Sequence, residues 1–167
     1  MSCLGVHFAL TPEEVATLES FEDDLDRLAY LQEDLEDRYF DEAKVFIAES
    51  DKSWDALHRA LSDGRLSWTG GSYPLNHAVL GGKSLYVLAD YIMSLKTPDQ
   101  VKEIAAALGP ITEIELRRRY NRIDAKDFDA ELSDEEFSYT WEWFQGVRDL
   151  YTRAAAENRY VLFTADQ

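Results

Sequence analysis

The sequence predicts an α/β domain of α+β character, in which helices cover a small mixed β-sheet. Three observations predict it. Short strand-like segments stand at both ends of the chain, Cys3–Leu10 and Tyr160–Phe163. Helix-start signals of one kind recur at Thr11-Pro12-Glu13-Glu14 and Thr97-Pro98-Asp99-Gln100. The strand-like segments are few and helical patterns separate them, which favours one sheet with helices packed on it. The 167 residues fit a single compact domain over 1–167, with no linker, low-complexity tract or internal repeat. A domain of that size buries roughly 70% of the surface its extended chain exposes, so the core needs no disulfide or metal.

In the first segment Val6 and Phe8 alternate with His7 and Ala9, the period of a strand. Thr11 can then accept from early backbone N–H groups, Pro12 suits the first helical position, and Glu14 completes a capping box. Leu25, Leu28, Leu31 and Leu35 continue at helical spacing after a break near Phe21–Asp24. Val45-Phe46-Ile47 reads as a short strand or a buried connection. Asp51 is placed to cap a helix in which Trp54, Leu57, His58 and Leu61 share one face and Gly64 is the stop. Residues 64–84 are rich in turn formers. Tyr86–Leu95 is the central-strand candidate. The second Thr-Pro start opens a helix with Val101, Ile104, Ala105 and Leu108 on one stripe, stopped at Gly109-Pro110. Thr112 and Glu115 suggest a third capping box before Arg117-Arg118-Arg119. Phe137, Trp141, Phe144, Val147, Leu150 and Tyr151 form the apolar face of a long helix over Glu135–Glu157. The two terminal strands are candidates to lie side by side.

Charge narrows the function classes. The chain carries 33 acidic and 17 basic residues, a formal net charge of −16. Glu13–Glu42 alone holds 13 acidic residues against Arg27 and Arg38. Such a surface repels phosphate backbones and anionic lipid, so neither nucleic acid nor membrane is an expected partner. A basic protein is. The single cysteine, Cys3, forbids an internal disulfide and fits a reducing cytoplasm, where it reads as a small buried hydrophobe. The start Met1-Ser2-Cys3-Leu4-Gly5 lacks the basic and apolar regions of a signal peptide, and Leu85–Leu95 is too short to span a bilayer.

The chemistry-bearing motifs fail one by one. Gly82-Lys83-Ser84 ends like a phosphate-binding loop, but His77 stands where the first glycine of that loop belongs. Asp127, Asp129 and Glu131 alternate as in a calcium loop, yet Leu132 and Ser138 occupy its glycine and bidentate-glutamate positions. His7, His58 and His77 are too scattered for a zinc motif. There is no Gly-x-Ser-x-Gly elbow. No cofactor and no metal is expected.

One constellation remains. Asp51, Lys52, Trp54, Asp55 and His58 crowd one helix start, and a glycine-rich segment from Tyr73 through His77 to Gly82 follows. Its plain reading is a capped helix with Trp54 as core anchor. Its sharper reading is a pocket of Asp51, Lys52, Trp54, Asp55, His58, Tyr73 and His77, with a histidine working beside a carboxylate.

The run Asp51-Lys52-Ser53-Trp54-Asp55-Ala56-Leu57-His58 and the run Pro74-Leu75-Asn76-His77-Ala78-Val79-Leu80-Gly81-Gly82 resemble the bacterial YfbM-like family of unknown function. Tyr151-Thr152-Arg153-Ala154-Ala155-Ala156 followed by Val161-Leu162-Phe163 resembles that family's ending. The resemblance implies a compact α/β domain and carries no catalytic roles. Three functions stay open: an acidic, immunity- or antitoxin-like binder of a basic protein, an enzyme or small-ligand binder using the Asp51/His58/His77 neighbourhood, and a structural subunit.

Overall fold

The structure, a computed structural model, describes residues 3–167; of the start read for a signal peptide, Met1 and Ser2 lie outside the described residues. Five strands form one sheet in the order β2-β1-β5-β4-β3: β1 (Gly5–Leu10), β2 (Ile47–Asp51), β3 (Lys83–Ser84), β4 (Tyr91–Lys96) and β5 (Tyr160–Asp166). The terminal strands do lie side by side, with Gly5 opposite Ala165 and Leu10 opposite Tyr160. Every pairing is antiparallel, which corrects the expectation of a mixed sheet. Helix-separated strands suggested parallel crossovers; here the helical excursions from β1 to β2 and from β4 to β5 each bring the chain back antiparallel beside the strand it left.

Helices cover both faces. On one, Phe8, Leu10, Met93, Leu95 and Leu162 pack with Val15 and Leu18 of α1 (Pro12–Ser20) and Leu31, Leu35 and Tyr39. The last three lie on the run formed by α2 (Asp24–Tyr30), a π-helical stretch Leu31–Glu36 and α3 (Asp37–Asp41). On the other face, Ala9, Val161 and Phe163 meet α4 (Trp54–Leu61), α5 (Pro98–Leu108), α6 (Glu113–Tyr120) and α7 (Asp134–Ala156). Successive side chains of a strand point to opposite faces, so a sheet covered on both sides has near-continuous apolar strands.

The local signals translate directly. Thr11 and Thr97 form reciprocal capping boxes with Glu14 and Gln100. Thr112 accepts from the Glu115 N–H, but the Glu115 carboxylate turns to Arg118 and Arg119 instead of closing the box. Gly64, at φ +87°, ends α4 as expected, its N–H donating to Arg59 O at 2.9 Å.

Three other expectations are corrected. Asp51 does not cap α4. It ends β2 at φ +45°, and Ser53 precedes the helix with its hydroxyl donating to Ser50 O. The expected strand Tyr86–Leu95 begins only at Tyr91, because Val87 and Leu88 are exposed in a turn whose backbone N–H at Val87 is held by Asp24. Cys3 precedes β1 and is half-buried; its carbonyl accepts the Trp54 indole N–H at 2.8 Å. No helix among the described residues is long and apolar enough to cross a membrane.

Candidate functional site

The seven residues singled out by sequence fall into separate surroundings. Asp51 and Lys52 lie beside α7, where the Lys52 N–H donates to the Tyr139 hydroxyl at 3.3 Å. Trp54 is buried and its ring sits 5.6 Å from that of Phe163. A Cβ on Gly5 would stand 2.8 Å from Trp54 Cδ1, so the indole depends on a glycine across the strand. Asp55 pairs with Arg59 at 2.5 Å, while burial, its largest influence, pushes its carboxyl upward. Tyr73 and His77 stack edge to face at 4.9 Å, and His77 Nδ1 meets Asn76 Oδ1 at 2.7 Å.

His58 does reach the glycine-rich segment, but through backbone. Its Nε2 lies 2.7 Å from Ser67 O and must donate there; its Nδ1 accepts from the Leu80 N–H at 3.4 Å. Both nitrogens are thus committed, the ring is neutral, and burial holds it down to about 4. It joins two loops as a cross-link.

Four residues that sequence reasoning passed over as chemistry share this task. His7 Nε2 and the Tyr151 hydroxyl both donate to Ala78 O, at 3.2 and 2.7 Å. Buried Lys96 donates to Val79 O and, at 2.6 Å, to Ser94 Oγ, while the Ser94 hydroxyl donates to Gly81 O. Burial pushes the Lys96 ammonium well below its ordinary range. Backbone from Ala78 to Gly81 is therefore satisfied by side chains from β1, β4, α4 and α7, as buried carbonyls require. The one available sequence signal was polar residues at inward strand positions, His7, Ser94 and Lys96.

A different place has the shape of a binding site. β2 ends the sheet, and α7 runs alongside it. Ile47, Ala48 and Glu49 form one wall of a groove of about 360 Å³; Glu142, Trp143, Gly146, Asp149 and Arg153 form the other. A second depression of about 440 Å³, lined by Asp134, Glu135, Ser138, Tyr139 and Glu142, shares Glu142 with the first. Glu135, Tyr139, Glu142, Gly146, Asp149 and Arg153 recur at helical spacing and form one stripe of α7. The carboxylates of Glu49, Glu135, Glu142 and Asp149 have no hydrogen bond or ion pair among the described residues. Arg153 is tied to Val45 O at 2.6 Å. Tyr139 and Trp143 stack edge to face at 6.2 Å between the acids. No cluster of metal-ligating side chains occurs among the described residues.

Comparison with known proteins places the fold. The chain is similar in structure to YfbM from Escherichia coli, a protein of unknown function, with a TM-score of 0.64 and 20% sequence identity. The likeness covers 97% of this chain and 99% of that one. No curated protein matches the chain. The model of a domain of unknown function, DUF1877, matches residues 1–164, and the chain belongs to that YfbM-like family.

Proposed function

We propose that this domain is a protein-binding module that receives a positively charged partner in the groove between β2 and α7, an immunity- or antitoxin-like role. The observation that carries it is the set of unpaired carboxylates of α7, Glu135, Glu142 and Asp149, beside Tyr139 and Trp143, with Glu49 at the neighbouring sheet edge. Aromatic rings supply contact area at low conformational cost, and surrounding charge selects the partner. The net charge of −16 adds long-range steering of a cationic partner. Catalysis at the Asp51, His58 and His77 neighbourhood is less well supported, because His58 commits both ring nitrogens to backbone groups.

The test separates the groove from acidity in general. Oligolysine titrated into isotopically labelled protein at physiological salt should shift the amide signals of Glu49, Tyr139, Glu142 and Asp149. The Glu13–Glu42 stretch is more acidic still, with 13 acidic residues, but lies outside the groove and should respond less. Shifts concentrated in that stretch, or none anywhere, reject the reading.

A further inference from the structure

Resting on that reading, we propose that the partner enters as an extended basic strand, added to the free edge of β2 with α7 as the facing wall. Among the described residues the sheet order leaves β2 with β1 on one side and no strand on the other. One row of its backbone N–H and C=O groups therefore lacks a strand partner, and a strand in register satisfies such a row directly. An added strand sits about 4.8 Å from its neighbour, whereas an added helix needs about 8–10 Å between axes. The free edge of β2 offers a row of backbone groups that a strand, not a helix, can pair along its length. The five residues of β2 span about 17 Å and the α7 stretch 142–153 about 18 Å, so the two walls match in length.

Gly146 is the second, independent observation. It lies mid-helix, exposed, at the centre of the groove wall. A Cβ built there meets nothing within 4 Å. No packing among the described residues calls for a glycine there, although glycine is a poor helix former. A bare backbone at that point leaves room for another main chain to come close. Acids of the α7 wall, Glu142 and Asp149, then select the incoming side chains on that face, and Glu49 those on the opposite face of the added strand. A second copy of this chain is the wrong occupant. Its β2 reads Ile47-Ala48-Glu49-Ser50-Asp51, so edge-to-edge pairing sets carboxylates against carboxylates between two bodies of charge −16.

The probe is a short peptide of alternating Lys and Val, with two isomers of it N-methylated on every second residue. Alternate N–H groups of a strand point to the same side, so the isomers block opposite edges. Calorimetry should show the unmodified peptide binding, one isomer weakened at least about tenfold, and the other nearly unaffected. Gly146→Gln should weaken the unmodified peptide by a similar factor, and the open space at that position lets the variant fold. Equal behaviour of the two isomers, with binding retained or lost in both, overturns strand addition while leaving a cationic partner in place. Binding of neither the peptide nor oligolysine overturns the underlying reading. A concentration-dependent dimer whose formation protects the Ile47–Asp51 amides from exchange shows that the edge serves self-association, and overturns the choice of occupant.

Discussion

Replacing Gly146 by alanine adds one methyl group at the middle of α7, a helix running from Asp134 to Ala156. A Cβ at that position finds no atom within 4 Å, so the change neither fills a cavity nor creates a clash. What remains is backbone entropy. Glycine in a helix interior is about 0.8–1.0 kcal/mol less favourable than alanine, chiefly because the unfolded chain is freer at glycine. Gly146→Ala should therefore stabilise the domain by about 1 kcal/mol. For a chain of this size that raises Tm by about 2–4 °C. Urea unfolding followed by circular dichroism reads the change as a higher midpoint at unchanged slope, since the exposed surface is the same in both proteins. An unchanged or lower midpoint refutes the reasoning, because it means that some interaction of this chain needs the bare backbone. That result would also remove the independent support for a partner approaching at Gly146.

Three further outcomes follow from the same structure. Gly82→Ala should behave oppositely, losing well over 1 kcal/mol in the same urea assay, because Gly82 has φ +68° and its Cβ would collide with Leu95 O; a variant as stable as the parent contradicts this geometry. Tyr151→Phe should cost only about 1 kcal/mol, since Ala78 O keeps its bond from His7 Nε2; a loss several times larger means that His7 alone does not satisfy that carbonyl. Stability should also fall in mild acid. Burial holds His58 down to about 4 and His7 to about 3, against 6.5 for an ordinary histidine. Unfolding lets both take up protons, so their contribution is complete above about pH 6.5 and is lost as pH falls toward 4 and then 3. Burial pushes the Glu36 and Asp55 carboxyls upward, which offsets part of that loss in the same range. Urea midpoints that stay level from about pH 7 to pH 5 would falsify the assignment of both histidines as buried and neutral.

Elements whose cause is local were legible in the sequence. The Thr11 and Thr97 capping boxes close between residues three apart, and the apolar stripe of α7 repeats within each turn. The terminal strands were visible from composition and spacing. Legibility failed wherever the deciding partner is distant in the chain. Asp51 looked like a helix cap, but β2 and the Ser53–Ser50 turn took that stretch of backbone. Tyr86–Leu95 looked continuous because apolar spacing does not reveal a turn held by Asp24, more than sixty residues earlier.

The bond from the Leu80 N–H to His58 joins the distinctive run Asp51–His58 to the segment Pro74–Gly82. Their joint purpose was not readable, because it depends on His7, Ser94, Lys96 and Tyr151 arriving from other elements. By itself the sequence determined the helices, the strand-forming ends, the acidity and the family likeness, all of which rest on short-range spacing or simple composition. Only the tertiary structure decided that the sheet is antiparallel throughout, that the buried histidines serve as cross-links, and that α7 and the free edge of β2 enclose an acidic groove. Those features come from pairings between residues tens of positions apart, and such pairings exist only once the chain has closed on itself.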